Sequence, residues 1–199
     1  MVVKTAKSEE SRNMIQCTVV GDGMVGKTCL SLAFSKLSAP HDYVATVFDN
    51  YAGKTNVNGD EYTVSIFDSA GQHDYASLRQ FTYEDSEVFV VCFSAVDRDS
   101  FESVKEFWVP EMKPNMTRKK PIVLVATQTD LRNTAGYDSD MPVSKTEGES
   151  LAKAIGAVTY VECSIQHHQS VKKLFSEVAQ AALKYRKKKT NIVNKLLGR

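Results

Sequence analysis

A glycine-rich octapeptide near the start of the chain contains the residue types that bind phosphate. It follows the pattern GxxxxGK[ST] and consists of Gly21, Asp22, Gly23, Met24, Val25, Gly26, Lys27 and Thr28. Glycines allow a backbone to curl until successive N–H groups face one anion, a lysine can reach the outer phosphates, and a threonine hydroxyl can ligate Mg²⁺. We therefore predict a polyphosphate-binding loop in which Lys27 contacts the β- and γ-phosphates and Thr28 binds the metal.

The segments on either side of this loop support that interpretation. Residues Cys17 to Val20 form an apolar run that predicts a buried strand, and Cys29 to Phe34 predict a helix. A helix that begins at the loop adds the positive end of its dipole to the phosphate site, and Cys29 at its start is included among the nucleotide-binding residues. The alternative is a glycine turn that binds nothing, which the complete pattern and both flanks make the weaker interpretation.

Two polar residues that follow apolar strands narrow the choice of ligand. Asp68 ends one strand, where its carboxylate can hold Mg²⁺ through water, and the nearby Gly71 can offer its N–H to a γ-phosphate. An ordinary strand-ending turn is the alternative there. Asp130 follows another strand, where a carboxylate can accept hydrogen bonds from N1–H and the exocyclic amine of guanine. Adenine lacks that pair of donors, so we expect Asp130 to select guanine; an adenine-specific P-loop kinase is the alternative in which it is incidental.

The size and charge of the chain limit the classes to which it can belong. Its 199 residues suffice for one domain with a substantial core, and 25 Lys and Arg against 24 Asp and Glu give a net charge of +1. That balance predicts no nucleic-acid partner. Neither a signal peptide nor a membrane span is recognisable, so we expect a cytoplasmic protein. The cysteines lack metal-site spacing and are expected to be reduced and mostly buried; they are Cys17, Cys29, Cys92 and Cys163.

Apolar strand-like runs alternate with helix-like segments along the chain. This alternation is typical of α/β proteins with a mostly parallel sheet and helices on both faces. Together with the glycine-rich loop, the six strand-like runs predict a P-loop NTPase fold with a six-stranded sheet. A turn signal at residues 58–60 predicts a hairpin. We expect a flexible N-terminal extension at residues 1–13, one domain at 14–185 and a basic C-terminal tail at 186–199.

Two helices are predicted with particular bounds. The first runs from Asp99 to Met112, is capped by Asp99 or Ser100, and carries an aromatic stripe that we interpret as core. The last helix is expected from Ser170 to about residue 184.

Five motifs stand in a fixed order along the chain. They are residues 21–28, Tyr43 to Tyr51, Asp68 to Gln72, Thr127 to Asp130, and Glu162 to Ser164. On these motifs the chain resembles, over residues 14 to 185, a small GTPase of the Rho family in the Ras superfamily, and within it the Rac-like branch. The resemblance implies a switch that binds GTP or GDP with Mg²⁺, hydrolyses GTP slowly and binds effectors in its GTP form. It also implies Rho-type signalling to the actin cytoskeleton, polarity or trafficking.

The resemblance assigns roles to individual residues. Thr46 of the first switch segment would ligate Mg²⁺ and sense the γ-phosphate, and Tyr43 would lie over the phosphates. Gln72 would orient the attacking water, so Gln72 and Lys27 are the expected catalytic residues, while Gly71 is the hinge of the second switch segment. The residues implied for the guanine pocket are Thr127, Gln128, Asp130, Ser164 and Ile165. The strand expected to bind effectors contains Val47, Phe48 and Asp49.

Regulation follows from the same resemblance. The first switch segment contains no arginine that could act in cis, so a GTPase-activating protein is expected, and its arginine would add about three to five powers of ten to the rate. Which exchange factor recognises the protein stays open, because His73 stands where the family usually has an acidic residue.

Other departures from the family pattern favour an alternative function. Ala39 replaces an aromatic residue that packs on guanine, although Leu37 or a shifted loop would be able to fill that gap. Ala45 replaces a proline before Thr46 and frees the backbone. Met24 replaces a small residue, and we expect its side chain to point to solvent. Ala39 and Ala45 predict faster nucleotide exchange, and with His73 they favour the alternative function, a constitutively GTP-loaded effector-binding module.

The C-terminus departs most from the family. Family members generally end in a CaaX box with a prenylated cysteine, whereas Asn194 to Arg199 contain no cysteine. A basic cluster precedes it and comprises Lys184, Arg186, Lys187, Lys188 and Lys189. Weak peripheral contact with anionic membranes, without prenylation, is one interpretation, and a solvated tail or a nuclear-import patch is the other.

Overall fold

Strands and helices alternate along the folded chain. The structure, a computed structural model, describes residues 13–36, 46–115, 119–134 and 142–196. Its strands are β1 (Met14–Val20), β2 (Phe48–Val57), β3 (Asp60–Ser69), β4 (Val88–Ser94), β5 (Ile122–Thr127) and β6 (Thr159–Glu162). Its α-helices are α1 (Lys27–Ser35), α2 (Ala76–Asp85), α3 (Arg98–Ser103), α4 (Val109–Met112), α5 (Lys145–Ile155) and α6 (His168–Leu196). Short 3₁₀ helices lie at His73–Tyr75, Lys113–Asn115 and Leu131–Asn133.

The strands form one sheet in the order β2-β3-β1-β4-β5-β6. β2 and β3 pair in antiparallel fashion, and the other neighbouring pairs are parallel. The predicted six-stranded, mostly parallel sheet is therefore confirmed. The predicted hairpin is confirmed as well, since Asn58 and Gly59 have φ values of 54° and 93° and form the two-residue turn between β2 and β3.

Apolar side chains cover both faces of the sheet. On one face α1 and α6 pack on the sheet, and Phe34 stacks on Phe175 with ring centroids 3.8 Å apart. On the other face α2, the helices of residues 98–112 and α5 pack around Trp108 and Phe89. Every residue of β4 is buried, as a central parallel strand requires. The cysteines are free: those at 17, 92 and 163 are buried, and Cys29 is half-buried.

The helix predicted at Asp99 to Met112 differs from the observed one. It begins after Asp97, whose carboxylate accepts a hydrogen bond from the Ser100 N–H, so the predicted cap at Asp99 or Ser100 was wrong. A π-helical segment, Val104–Trp108, separates α3 from α4, and the Val109 N–H donates to the Val104 carbonyl. Pro110 directly follows and has no N–H to continue a regular α-helix, which accounts for the wider turn. The predicted core role of the stripe is confirmed for Trp108, which is fully buried.

The last helix is longer than predicted. It extends from His168 to Leu196 and passes residue 185, the predicted domain end, without a break. Arg186 holds this extension, because its guanidinium donates to both oxygens of Glu87 and to the Met14 carbonyl. Within the described residues, no helix combines the length and hydropathy that crossing a membrane requires. Residues 1–12 of the predicted N-terminal extension, Ala39, Ala45 and the chain beyond residue 196 lie outside the described residues.

Candidate functional site

The glycine-rich loop connects β1 to α1 at the carboxyl edge of the sheet. Gly26 precedes α1 with a φ of 85°, and its carbonyl accepts the first helical hydrogen bond from the Leu30 N–H at 2.9 Å. Gly21 has a φ of 143°, and a Cβ there would lie 2.3 Å from the Cys92 carbonyl oxygen. Only glycine fits this position, which brings the loop against β4. The loop thus has the strand-to-helix setting that the sequence predicts.

Lys27 lies inside the curled loop. It is 6% exposed, and its ammonium group donates to the Asp22 carbonyl at 2.7 Å. Burial lowers the pKa of Lys27, whereas the neighbouring Asp68 carboxylate raises it. A buried cation held by the loop backbone is placed to bind an anionic group that occupies the loop.

Three oxygen-bearing side chains from separate segments meet beside Lys27. The Thr28 hydroxyl lies 2.6 Å from Asp68 Oδ2 and 2.7 Å from the Thr46 hydroxyl. Asp68 Oδ1 is buried and has no hydrogen-bond partner among the described residues. Burial raises the pKa of Asp68 to about 6, although the Thr28 hydrogen bond and Lys27 oppose that rise. Mg²⁺ prefers hard oxygen ligands, so this unsatisfied carboxylate and the two hydroxyls fit the metal expected there.

The segment after β3 rests on the glycine-rich loop. A Cβ on Gly71 would lie 2.4 Å from the Gly23 nitrogen and 2.5 Å from the Asp22 carbonyl carbon. Gln72 follows with an exposed side chain, and its carbonyl accepts a hydrogen bond from Arg79 Nη1 at 2.6 Å. His73 begins a 3₁₀ helix, but its side chain lies outside the described residues. Gln72 therefore stands beside the loop, at a place fixed by backbone contacts.

The residues expected to bind the base lie on two neighbouring loops. Thr127 donates to the Val25 carbonyl at 2.6 Å, which joins the end of β5 to the glycine-rich loop. Gln128, with a left-handed φ of 55°, donates through Nε2 to the Met24 carbonyl at 3.3 Å. The Thr129 N–H donates to the Cys163 carbonyl at 3.5 Å and so brings the segment after β6 alongside. The structure thereby gathers the 127–130 and 163–165 segments.

Other expected site residues differ in their exposure. Asp130 is exposed and Ile165 is 41% exposed, whereas Ser164 is buried. Met24 is 73% exposed, in agreement with the expectation that it points to solvent, and its φ of 63° is unusual for a residue with a side chain. Tyr43 lies outside the described residues.

Sequence reasoning missed two side chains next to this site. Trp108 donates from its indole nitrogen to Asp22 Oδ1 at 2.6 Å, and Arg79 donates to the Ala70 and Gln72 carbonyls at 2.9 Å and 2.6 Å. Trp108 carried only the signal of an apolar helix face, and Arg79 carried none. Their contacts form only when distant segments of the chain fold together, so no local sequence pattern predicts them.

A glycine-rich loop between a strand and a helix, with a buried lysine inside and magnesium-type ligands beside it, defines the class of P-loop nucleotide-binding proteins. A family model described as the Ras family matches residues 16–184. The chain belongs to the Ras family of small GTPases, which are GTP-binding switches that bind guanine nucleotide with Mg²⁺ and hydrolyse GTP. The finer assignment within the superfamily is a matter for proposal.

Proposed function

We propose that the protein is a Rho-type, Rac-like molecular switch that hydrolyses GTP slowly and binds effectors in its GTP form. The observation that carries this proposal is the meeting of both switch segments at the phosphate loop. Thr46 contacts Thr28 from one side, and Gly71 lies against Asp22 and Gly23 from the other. A terminal phosphate in the loop would be sensed by both segments at once, which is the physical basis of a nucleotide switch.

The residues around the loop divide the chemistry of hydrolysis among them. Lys27 supplies positive charge from within the loop, and Gln72 orients the attacking water. Thr28, Thr46 and Asp68 would hold Mg²⁺, Asp68 through water, and the ion would neutralise charge on the β- and γ-phosphates. Water attack in line with the leaving group needs positioning and charge neutralisation more than covalent chemistry. Loss of Gln72 would therefore slow hydrolysis and leave nucleotide binding largely intact.

The partners of the switch follow from the surfaces near these segments. Val47 and Phe48 are 49% and 44% exposed at the start of the edge strand β2, and we propose that effectors bind there. Phe81 on α2, the helix that follows the second switch segment, is 78% exposed, and we propose it as a second apolar contact for effectors. We also propose that a GTPase-activating protein acts on this chain and supplies an arginine for hydrolysis. The identity of the exchange factor stays open, since the His73 side chain lies outside the described residues.

A second candidate function is a module that stays loaded with GTP because exchange is fast. Met24 favours it, since its left-handed backbone stores strain of about 1–3 kcal/mol in the loop that must hold the nucleotide. Two rates measured on purified protein separate the candidates: release of GDP with Mg²⁺ present, and single-turnover hydrolysis of GTP. Release slower than hydrolysis supports the regulated switch. Release much faster than hydrolysis supports the constitutively loaded module.

We further propose that the protein is cytoplasmic, has no nucleic-acid partner, and makes weak contact with anionic membranes through the end of α6. Lys184, Lys187, Lys188 and Lys189 are exposed there, and each basic residue near an anionic leaflet contributes about 1 kcal/mol. Sedimentation with phosphatidylserine vesicles at rising salt tests the contact. Binding at low salt that is lost at high salt supports it, and no binding at low salt removes it. A variant with Lys172 and Lys173 changed to glutamine is the control. It should bind vesicles as the wild type does, because these exposed lysines lie near the start of α6, away from its basic end.

A further inference from the structure

A buried arginine holds the segment that carries Gln72. Arg79 on α2 is 1% exposed, and its Nη1 atom donates to both the Ala70 and Gln72 carbonyls. Its other donors bind the Glu111 carboxylate, with Nε 3.0 Å from Oε1 and Nη2 2.6 Å from Oε2. A planar guanidinium with a fixed fork of donors can make these contacts together, whereas a lysine ammonium cannot.

The same arginine is connected to the phosphate loop through an aromatic ring. The Arg79 guanidinium lies over the Trp108 ring with its carbon 4.8 Å from the centroid. Trp108 is fully buried, and its indole N–H donates to the Asp22 carboxylate. Tyr83 also donates to Glu111, so the carboxylate that anchors Arg79 is itself held. Arg79 and Trp108, which are buried, and Glu111 and Asp22, which are half-buried, thus form a continuous network, called here the arginine network.

This network joins two loops that must be in register for hydrolysis. The Gln72 segment is bound to Arg79, Asp22 of the phosphate loop is bound to Trp108, and Gly71 touches Asp22 and Gly23 directly. Charged and polar groups buried in this way cost free energy whenever a partner is lost, so the arrangement resists partial rearrangement. The π-helical segment ends at Trp108 and widens the helix where the indole contacts the loop.

We propose that Arg79 is a positioning residue for Gln72, and that Trp108 couples the position of this segment to the phosphate loop. The inference rests on the proposed function, in which Gln72 orients the attacking water. Arg79 acts on this segment through the backbone carbonyls of Ala70 and Gln72. Its loss would therefore displace Gln72 and slow hydrolysis, while leaving the guanine and phosphate contacts in place. A displacement of about 1 Å at a catalytic group can cost about a hundredfold in rate.

Arg79→Lys is the test variant, and Arg98→Lys is its matched control. Arg98 forms an ion pair with Glu147 that is 33% and 41% exposed and lies outside the network. We expect Arg79→Lys to lower single-turnover GTP hydrolysis at least about tenfold, with the GDP dissociation constant changed less than about threefold. Arg98→Lys should behave as the wild type in both assays. Wild-type hydrolysis by folded Arg79→Lys would overturn the inference, whereas failure of the wild type to take up GTP or GDP would overturn the proposed function itself.

A spectroscopic measurement adds a readout other than hydrolysis. Trp108 is the single tryptophan of the chain, so emission excited at a wavelength that tyrosine does not absorb reports on the network alone. We expect the emission to differ between the GDP form and the form with a non-hydrolysable GTP analogue in the wild type and in Arg98→Lys. That difference should be absent in Arg79→Lys, and its persistence there would contradict the coupling.

A second variant keeps the inference testable if Arg79→Lys fails to fold. Trp108→Phe retains an aromatic ring under the guanidinium and removes the N–H that donates to Asp22. We expect it to fold, to release GDP faster and to hydrolyse GTP at least about threefold more slowly than the wild type. Unchanged rates in folded Trp108→Phe would overturn the role of Trp108 as the link.

Discussion

The buried carboxylate of Asp68 lowers the stability of the metal-free fold and is placed to bind Mg²⁺. Its carboxylate is buried, one oxygen accepts from Thr28, and the other has no hydrogen-bond partner within the part of the chain that the structure describes. Burial raises its pKa from the ordinary value of 3.8 to about 6, so the folded chain binds this proton more tightly than the unfolded chain. The contribution of Asp68 to stability therefore falls as the pH rises from about 4 to about 6, when no metal is bound. A bound cation would reverse that cost.

Asp68→Asn tests this cost to stability. In nucleotide-free, Mg²⁺-free protein at pH 7, we expect the amide to raise the free energy of unfolding by about 1 kcal/mol, because a buried charge is removed. Urea denaturation measures this, and the gain should shrink at pH 5. The same variant should lose the slowing of nucleotide release by Mg²⁺. Asp74→Asn, at an exposed position, is the control, and a destabilised Asp68→Asn protein at pH 7 would contradict the account.

Gly71→Ala tests the contact between the two loops. The new Cβ would meet backbone atoms of Asp22 and Gly23 at 2.4–2.7 Å, and backbone cannot yield as a flexible side chain can. We expect GDP binding close to that of the wild type and slower GTP hydrolysis, because the segment that carries Gln72 could no longer rest on the glycine-rich loop. Nucleotide affinity and hydrolysis measured on the same preparation check this, with Ser77→Ala as an exposed control. Normal hydrolysis by Gly71→Ala would show that the loops need not touch.

At the residue scale the sequence predicted what lies close together in the chain. Gly21, Gly26, Lys27 and Thr28 occur within one octapeptide, and their arrangement in the fold follows from that spacing. Trp108 and Asp22 are separated by 86 positions, and Arg79 and Glu111 by 32. Only the folded chain brings those pairs together, so no local sequence pattern predicts their contacts.

At the element scale, α5 begins with a complete capping box. The Ser144 hydroxyl accepts from the Glu147 N–H, and the Glu147 side chain accepts from the Ser144 N–H. The Ser144 hydroxyl, which also donates to Glu147 Oε2 at 2.7 Å, the Ser144 N–H and Arg98 together lower the pKa of Glu147 from 4.5 to about 2. Since the pKa is lower in the folded chain, the stabilisation is present above pH 4.5 and is lost as the pH falls through about 2.

Ser144→Ala and Glu147→Gln test this cap. We expect Ser144→Ala to lower the free energy of unfolding by about 1 kcal/mol at pH 7. Glu147→Gln should be less stable than the wild type at pH 6, and the two should converge as the pH falls from about 4.5 towards 2. Denaturant titrations across this range measure the difference. A difference that does not depend on pH would contradict the assignment.

The end of α6 depends on one anchoring ion pair. Arg186 and Glu87 are only 27% and 22% exposed, and the guanidinium contacts both carboxylate oxygens. We expect Glu87→Gln to cost about 1 kcal/mol of stability and to speed hydrogen exchange in α6 after residue 186. Glu61→Gln breaks the exposed Lys54–Glu61 pair and should change stability by less than about 0.5 kcal/mol. Equal effects of the two variants would show that Arg186 anchors nothing.

The elements themselves were predicted unevenly, for physical reasons. Strands such as β4 and β5 are continuous apolar runs, and the Asn58-Gly59 turn has a sequence that only a tight hairpin favours, so both were found. The extent of α6 was not, because its basic residues resemble a solvated tail until Glu87 is placed beside Arg186. The helix start after Asp97 was missed because Asp97, Asp99 and Ser100 are equally suitable capping residues by type.

At the scale of the whole molecule, the sheet order explains why one site exists. β1, β3, β4 and β5 run parallel and adjacent, so the loops that follow them emerge at one edge. The phosphate loop, the Asp68 to Gln72 segment and the Thr127 to Asp130 segment all occupy that edge. The alternation of strands and helices predicted this convergence. The arginine network beneath it was not predicted, because its contacts join segments that are far apart in the chain.

The central claim is that this edge binds guanine nucleotide and that bound Mg²⁺ tightens the binding. Isothermal titration calorimetry of nucleotide-free protein with GDP, GTP and ATP, with and without Mg²⁺, tests it most directly. The account predicts uptake of one GDP or GTP per chain, tighter with Mg²⁺, and no comparable uptake of ATP. Binding of ATP in preference to GTP, or no uptake of either guanine nucleotide with Mg²⁺ present, would contradict it.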